Sequence, residues 1–319
     1  MEPLLKVSRL RVEFKSDFGK RTVTDDTAFY VNEGETLGLV GESGCGKSVT
    51  VHSILGLLPS NGRIVEGEAL FDGKDLCKLS EKELDKVRGK DIGMVFQDAL
   101  TALDPVFTVE SQIAEQLRVH LGLGRAGARE RTLKLLEEVG IPDPLSAMKK
   151  YPHELSGGQR QRVMIAMALS CGPRLLIADE PTTALDVTIQ AQIMELIGEI
   201  MKKSRMSMIL ITHDIGLIAQ MADRVAVMYA GQIIEEAGVH ELFKNPLHPY
   251  TRALLQSAPS IEDGDDRVLK AIRGAVPEDY TDITGCRFAE RCECAGSGCE
   301  LRQEFKQREE GHFVRCHLA

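Results

Sequence analysis

The chain has 319 residues, 43% of them hydrophobic and 27% charged, with a net charge of −9, a balance that excludes compositional disorder and fits one large core plus a smaller appendage. No long basic run is present, so no nucleic-acid footprint is expected. Met1-Glu2-Pro3-Leu4-Leu5-Lys6 lacks the order of a secretory signal, and no uninterrupted apolar segment is long enough to span a bilayer; a cytosolic or peripheral protein is expected.

Between Leu4 and Val31 the alternating set Leu10, Val12 and Phe14, then Val23, Phe29 and Val31, predicts antiparallel strands. Phe14 and Phe18 are candidates to stack on an adenine ring, Phe18 before Gly19 the better placed; core filling is the alternative for each. The apolar run Thr36 to Val40 leads into Gly41-Glu42-Ser43-Gly44-Cys45-Gly46-Lys47-Ser48, with helix-like residues from Val49 onward. Strand, glycine loop and helix in that order place several backbone N–H groups around one hollow at a helix N-terminus, the arrangement that nucleotide phosphates need. Lys47 supplies a point charge and Ser48 a ligand for Mg2+. Gly41, Ser43, Gly44, Cys45, Gly46, Lys47, Ser48 and Val49 are therefore the candidate nucleotide-binding residues.

Gly67 to Gly73 reads as a strand ending in an Asp-Gly turn, and Ile92 to Phe96 as a buried strand that ends on Gln97. From Thr108 to Gly140 the spacing turns helical, predicting a helical subdomain inserted over about residues 98–160. Leu155-Ser156-Gly157-Gly158-Gln159 then opens a helix running to Ser170; Ser156 caps it and Gly157 and Gly158 make a second anion-binding terminus. With the first terminus already holding a nucleotide, Ser156 to Gln159 are expected to close over the γ-phosphate of a neighbouring molecule. The strand Leu175 to Asp179 delivers Asp179 and Glu180 at its C-terminal end, where ligands bind in parallel sheets. Asp179 is the candidate Mg2+ ligand and Glu180 the residue that orients the attacking water. A further strand, Met208 to Thr212, brings His213 to the same edge as a γ-phosphate contact.

Five of the eight cysteines fall near the C-terminus, a cluster that in a reducing compartment suggests metal before disulfides. Cys286-x5-Cys292-x6-Cys299-x16-Cys316 could complete a 4Fe–4S cluster, one thiolate per iron. Zinc is the alternative, although structural zinc sites usually pair their ligands more tightly.

Taken together, G41-E-S-G-C-G-K-S48, Gln97, L155-S-G-G-Q159, L175-L-I-A-D-E180, A184-L-D186 and His213 resemble the ATP-binding cassette family over roughly residues 4–240. The resemblance implies an α/β P-loop ATPase core with an antiparallel β subdomain, an inserted helical subdomain and a small cysteine-rich C-terminal domain, divided at 1–245 and 246–319. It also implies Mg2+-dependent ATP hydrolysis with Glu180, His213 and Gln97 as catalytic residues, Ser48, Gln97 and Asp179 around Mg2+, and Asp186 in the nucleotide site. Phe96 to Pro105, Asn245 to Leu255 and the C-terminal cysteines look like the dipeptide/oligopeptide permease ATPases, with Leu57-Leu58-Pro59 and Val87 to Asp91 pointing to the D-type subunit. Ala99 and Ala102 depart from that group's Pro and Ser, and Cys294 from its aromatic. The resemblance implies the iron–sulfur assignment, a paralogous ATP-binding subunit as heterodimer partner, two transmembrane permease subunits, an extracytoplasmic solute-binding protein, and a place on the cytoplasmic face of the inner membrane. Import of nickel or another small solute is the rival function, and a soluble cassette ATPase acting on nucleic acid or ribosomes a more distant one.

Overall fold

The computed structural model describes residues 2–17, 19–183, 185–257, 272–277 and 279–319. They form two compact units, one of residues 1–78 with 210–319 and the other of residues 79–209. The first unit begins with the hairpin β1 (Leu5–Ser16) and β2 (Gly19–Val31), continues through the fully buried β3 (Thr36–Val40) to α1 (Lys47–Ile54), and then forms β4 (Gly62–Phe71) and the short β5 (Lys74–Asp75) beyond the Asp72-Gly73 turn. Strands β2, β1, β4 and β5 make an antiparallel sheet in that order. Leu10 and Val12 are buried as their alternation predicts. The alternation is broken by register shifts between Val7 and Leu10, where Arg9 takes φ 48.

In the second unit, a Ser80/Glu83 capping box starts α2 (Glu81–Val87), and β6 (Ile92–Val95) lies parallel to β7 (Leu175–Asp179). Between them run α3 (Ala99–Ala102), α4 (Val109–Leu121), α5 (Arg125–Glu138), α6 (Pro144–Ala147) and α7 (Gly157–Leu169). The predicted helical stretch from Thr108 to Gly140 is thus two helices. Thr108 caps α4, and Gly122 ends it in the left-handed region at φ 66, a conformation that Gly adopts without steric cost. Ile113 and Leu117 of α4 and Leu135 and Leu136 of α5 are buried in this bundle. After β7 comes α8 (Val187–Ser204), capped by Asp186.

The next strand, β8 (Ser207–Ile211), is wholly buried and crosses the division between the units. The chain then completes the first unit with α9 (Ile215–Met221), β9 (Arg224–Tyr229), β10 (Gln232–Gly238), α10 (Val239–Lys244), α11 (Pro249–Ser257), β11 (Lys306–Glu309) and β12 (His312–Val314). There β3 pairs in parallel with β9, and β9, β10, β12 and β11 follow as antiparallel neighbours. The strands β10, β12 and β11 thus share the compact unit of β3 and α1 and extend its sheet.

Buried polar groups fasten that segment. Glu235 and His312, both fully buried, meet at 2.8 Å, and the Glu235 carboxylate also accepts from the N–H groups of Leu247 (2.6 Å) and His248 (2.9 Å). Burial and the nearby Arg252 push the His248 imidazole down to about 3, so the ring stays neutral and accepts from Tyr250 N. Arg224 on β9 likewise bonds to Glu35 at 2.8 Å and to the buried Glu236, and stacks on Tyr30 at 3.7 Å. Replacing Arg224 with Ala would leave Glu236 buried and unpaired. A loss of about 3–5 kcal/mol is expected in urea denaturation; a variant within about 0.5 kcal/mol of the parent would show that Glu236 has another partner.

Candidate active site

The turn from β3 into α1 is tight enough to dictate its residues. A Cβ on Gly41 would lie 2.2 Å from the Met228 carbonyl oxygen, and one on Gly46, at φ 108, would lie 2.9 Å from that of Val23. Only glycine fits either place. Gly46 is the N-cap of α1, and its carbonyl accepts from both Thr50 N and Thr50 Oγ1 at 2.9 Å. The N–H groups that follow, of Lys47, Ser48 and Val49, belong to the first turn of α1. Lys47 is buried, with Nζ donating to the carbonyls of Gly41 at 2.7 Å and Glu42 at 3.1 Å and lying 3.7 Å from Cys45 Sγ. Ser43 and Gly44 are exposed, whereas Ser48 and Val49 are half-buried. Burial pushes the Cys45 thiol up against the opposing influence of Lys47, so this cysteine packs as a neutral thiol.

Sequence patterns missed what surrounds Glu42. Its N–H donates to the Tyr250 hydroxyl at 2.9 Å, and its carboxylate takes two bonds from Arg291, at 2.7 and 2.9 Å. The bonds to Glu42 hold the Arg291 guanidinium above its ordinary range. Tyr250 and Arg291 lie in segments that carry the family resemblance, but nothing in their spacing signals a contact to the phosphate loop. His213, in the same unit, is exposed in the turn between β8 and α9; the next residue, Asp214, caps α9 by accepting from Gly216 N and Leu217 N. Phe18 lies outside the described residues. Phe14 is half-buried and its ring lies over Gly62, where a Cβ would come within 2.8 Å of it.

In the other unit, β7 ends on the buried Asp179, and Glu180 follows in the left-handed region at φ 46. That strain turns a half-buried carboxylate toward two donors: Gln97 Nε2 and Thr183 Oγ1 each reach Glu180 Oε2 at 2.9 Å. The segment beyond is held by Gln161 Nε2 on the Pro181 carbonyl and Gln190 Nε2 on that of Thr182. Ser156 and Gln159 form a reciprocal capping box at the start of α7, leaving Ser156 and Gly157 exposed. Gly158 also serves packing, since a Cβ there would lie 3.1 Å from Ile189 Cγ2. Asp186 accepts from Ile189 N at 3.0 Å as the cap of α8. The oxygen donors of Ser48, Gln97 and Asp179 are chemically suited to Mg2+.

The cysteine tail does not assemble as expected. Burial, with smaller contributions from Cys299, Cys316 and Cys292, pushes the Cys286 thiol up to about 11. The four are neighbours, and Cys286 N donates to the Cys299 carbonyl at 2.7 Å. No three of their sulfurs come within 4.8 Å of one another, so the zinc alternative lacks the ligand set of a single ion. Among the described residues, the group that meets that spacing is Glu241, Glu309 and His312, none of them nominated from sequence.

The chain matches the ABC transporter family over residues 24–183 and the oligopeptide/dipeptide transporter C-terminal region over residues 234–299. It is 49% identical to the dipeptide transport ATP-binding protein DppD of Bacillus subtilis, with 100% of this chain and 95% of the relative aligned. It is 48% identical to the oligopeptide transport ATP-binding protein AppD of the same organism, covering 100% and 97%. Among solved structures, the dimeric cassette MJ0796 bound to ADP and Pi superposes with a TM-score of 0.67 at 28% identity, over 74% of this chain and 98% of that one. The cassette cbiO1 of Clostridium perfringens, part of the transporter complex cbiONQ, gives 0.64 at 31%, over 77% and 92%. With the glycine loop, the strand-end carboxylates and these full-length relatives in agreement, the chain belongs to the ABC transporter family, in its oligopeptide/dipeptide transporter group.

Proposed function

We propose that the chain is the ATP-hydrolysing subunit of a peptide importer. The observation that carries the reading is the anchoring of Glu180: a carboxylate fixed by Gln97 and Thr183 just beyond the buried Asp179, in a chain whose Gly41–Ser48 loop is built for phosphates. In this proposal Lys47, Ser43, Gly44 and the N–H groups of the loop bind the phosphates, with Val49 continuing the first turn of α1. Ser48, Gln97 and Asp179 would hold Mg2+, which when bound neutralises phosphate charge. Glu180 orients and polarises the water, and His213 contacts the γ-phosphate. Ser156 to Gln159 and Asp186 serve the nucleotide of a neighbouring cassette, so turnover requires two cassettes.

The finer assignments belong to the same proposal. The partner cassette is a paralogue, the pair sits on two membrane permease subunits at the cytoplasmic face of the inner membrane, and a solute-binding protein delivers the peptide. Residues 1–245 act as the cassette and 246–319 as the transporter-type extension. No helix among the described residues is long and apolar enough to cross a membrane. Leu100, Val106 and Phe107 are 55%, 70% and 53% exposed just beyond Gln97, a local apolar surface suited to a permease segment. An iron–sulfur cluster is proposed for Cys286, Cys292, Cys299 and Cys316, since thiolates that each bind a different iron need not crowd around one ion. Its role would be structural.

Glu180→Gln is expected to bind ATP as the parent does while turnover falls by about 10²-fold or more, because the phosphate-holding residues are untouched. Undiminished turnover would reject Glu180 as the catalytic residue. The isolated chain is expected to be a weak ATPase that the paralogous subunit activates; hydrolysis by strictly monomeric chain at the complex's rate would refute the shared site. Protein purified without oxygen is expected to carry roughly four iron and four sulfide per chain. Zinc in their place, with no sulfide, would defeat the cluster assignment.

A further inference from the structure

Glu42, the second residue of the phosphate loop, connects Lys47 to the C-terminal segment through three separate groups. Its carbonyl accepts from Lys47 Nζ, its N–H donates to the fully buried Tyr250, and its carboxylate receives both prongs of Arg291. Arg291 is itself held in place: its side chain is 7% exposed, Nε donates to the Arg273 carbonyl at 2.7 Å, and Nη1, one of the two prongs on Glu42, also reaches the Tyr229 hydroxyl at 3.2 Å. The guanidinium lies 5.7 Å from the centre of the Tyr229 ring and 5.8 Å from that of Phe288. Tyr229, Tyr250 and Phe288 pack edge to face or tilted, with centroids 4.7–5.3 Å apart. Glu42 is thus gripped by a side chain that is already fixed by its own neighbours.

We infer that Arg291 is a positioning residue for nucleotide binding: through Glu42 it holds the phosphate loop in its binding shape and neutralises a carboxylate that would otherwise repel phosphate. The inference rests on Gly41–Ser48 being the phosphate loop. A bidentate guanidinium–carboxylate pair fixes both distance and plane, and a loop whose N–H groups must converge on one ligand binds more tightly when its shape is set beforehand. Charge adds to this. Glu42 sits within a loop that receives a polyanion, so an unneutralised carboxylate there opposes binding. The C-terminal segment, beyond the part of the chain that matches the cassette family, thereby contributes to ATP affinity.

The test is ATP·Mg titration of the purified full-length chain by calorimetry, comparing Arg291→Ala, Arg291→Lys, Glu42→Gln and the Arg291→Ala/Glu42→Gln double variant, with Lys47→Ala in parallel. Arg291→Ala is expected to weaken binding about tenfold, and Arg291→Lys, which keeps the charge but not the fork, about threefold. The double variant should bind no worse than Arg291→Ala alone, since it also removes the exposed carboxylate. A general loss of folding would not give that rescue pattern, and Glu42→Gln reads the same link from the loop side if Arg291→Ala fails to fold. If Arg291→Ala and Glu42→Gln both bind within about twofold of the parent while Lys47→Ala loses ATP, the inference is wrong and the phosphate loop stands. Additive losses in the double variant overturn it as well. Unchanged ATP binding by Lys47→Ala would instead overturn the phosphate-loop reading.

Discussion

The passage from β3 into α1 is the constraint on which the nucleotide chemistry depends. It must curl within a few residues, which Gly41 and Gly46 permit because a Cβ at either would meet backbone oxygen. It must also keep a buried ammonium over the loop, which the carbonyls of Gly41 and Glu42 do by accepting from Lys47. Burying that charge is tolerable because it is hydrogen-bonded and a polyanionic ligand is its natural partner. In the unit of residues 79–209 the corresponding constraint is the left-handed Glu180, whose carboxylate is held by two donors and so is oriented in advance of any water.

Much of this was legible in the sequence, because each feature leaves a local signature. A glycine at a forced φ, a capping Ser156 with Gln159 three residues on, and acids after an apolar strand all depend on neighbours in the chain. Gln97 was legible only as a residue at a strand end; its bond to Glu180, 83 positions away, is set by β6 lying beside β7. The helical stretch from Thr108 to Gly140 divides at Gly122, which ends α4 in the left-handed region before α5 begins at Arg125.

The Arg291–Glu42 pair was beyond sequence reasoning altogether. The two residues are 249 positions apart, joined by the sheet order that sets the C-terminal strands against β10 and by the buried Glu235 that ties down Leu247, His248 and His312. Cysteine spacing predicts a ligand set, but spacing counts residues and not the turns between them, and the sulfurs stand farther apart than ligands of a single ion would. The tail's most definite role in the geometry is electrostatic and lies in Arg291.

The central claim is that ATP hydrolysis by this chain drives peptide import. Its most direct test is uptake of a labelled dipeptide into vesicles that contain the permease subunits, the paralogous cassette and this chain, with the solute-binding protein supplied outside and ATP within. The account predicts accumulation that requires internal ATP and is lost when this chain carries Lys47→Ala. Robust ATP hydrolysis by the assembled complex, with dipeptide and oligopeptide left outside and another solute such as nickel accumulated, would contradict it.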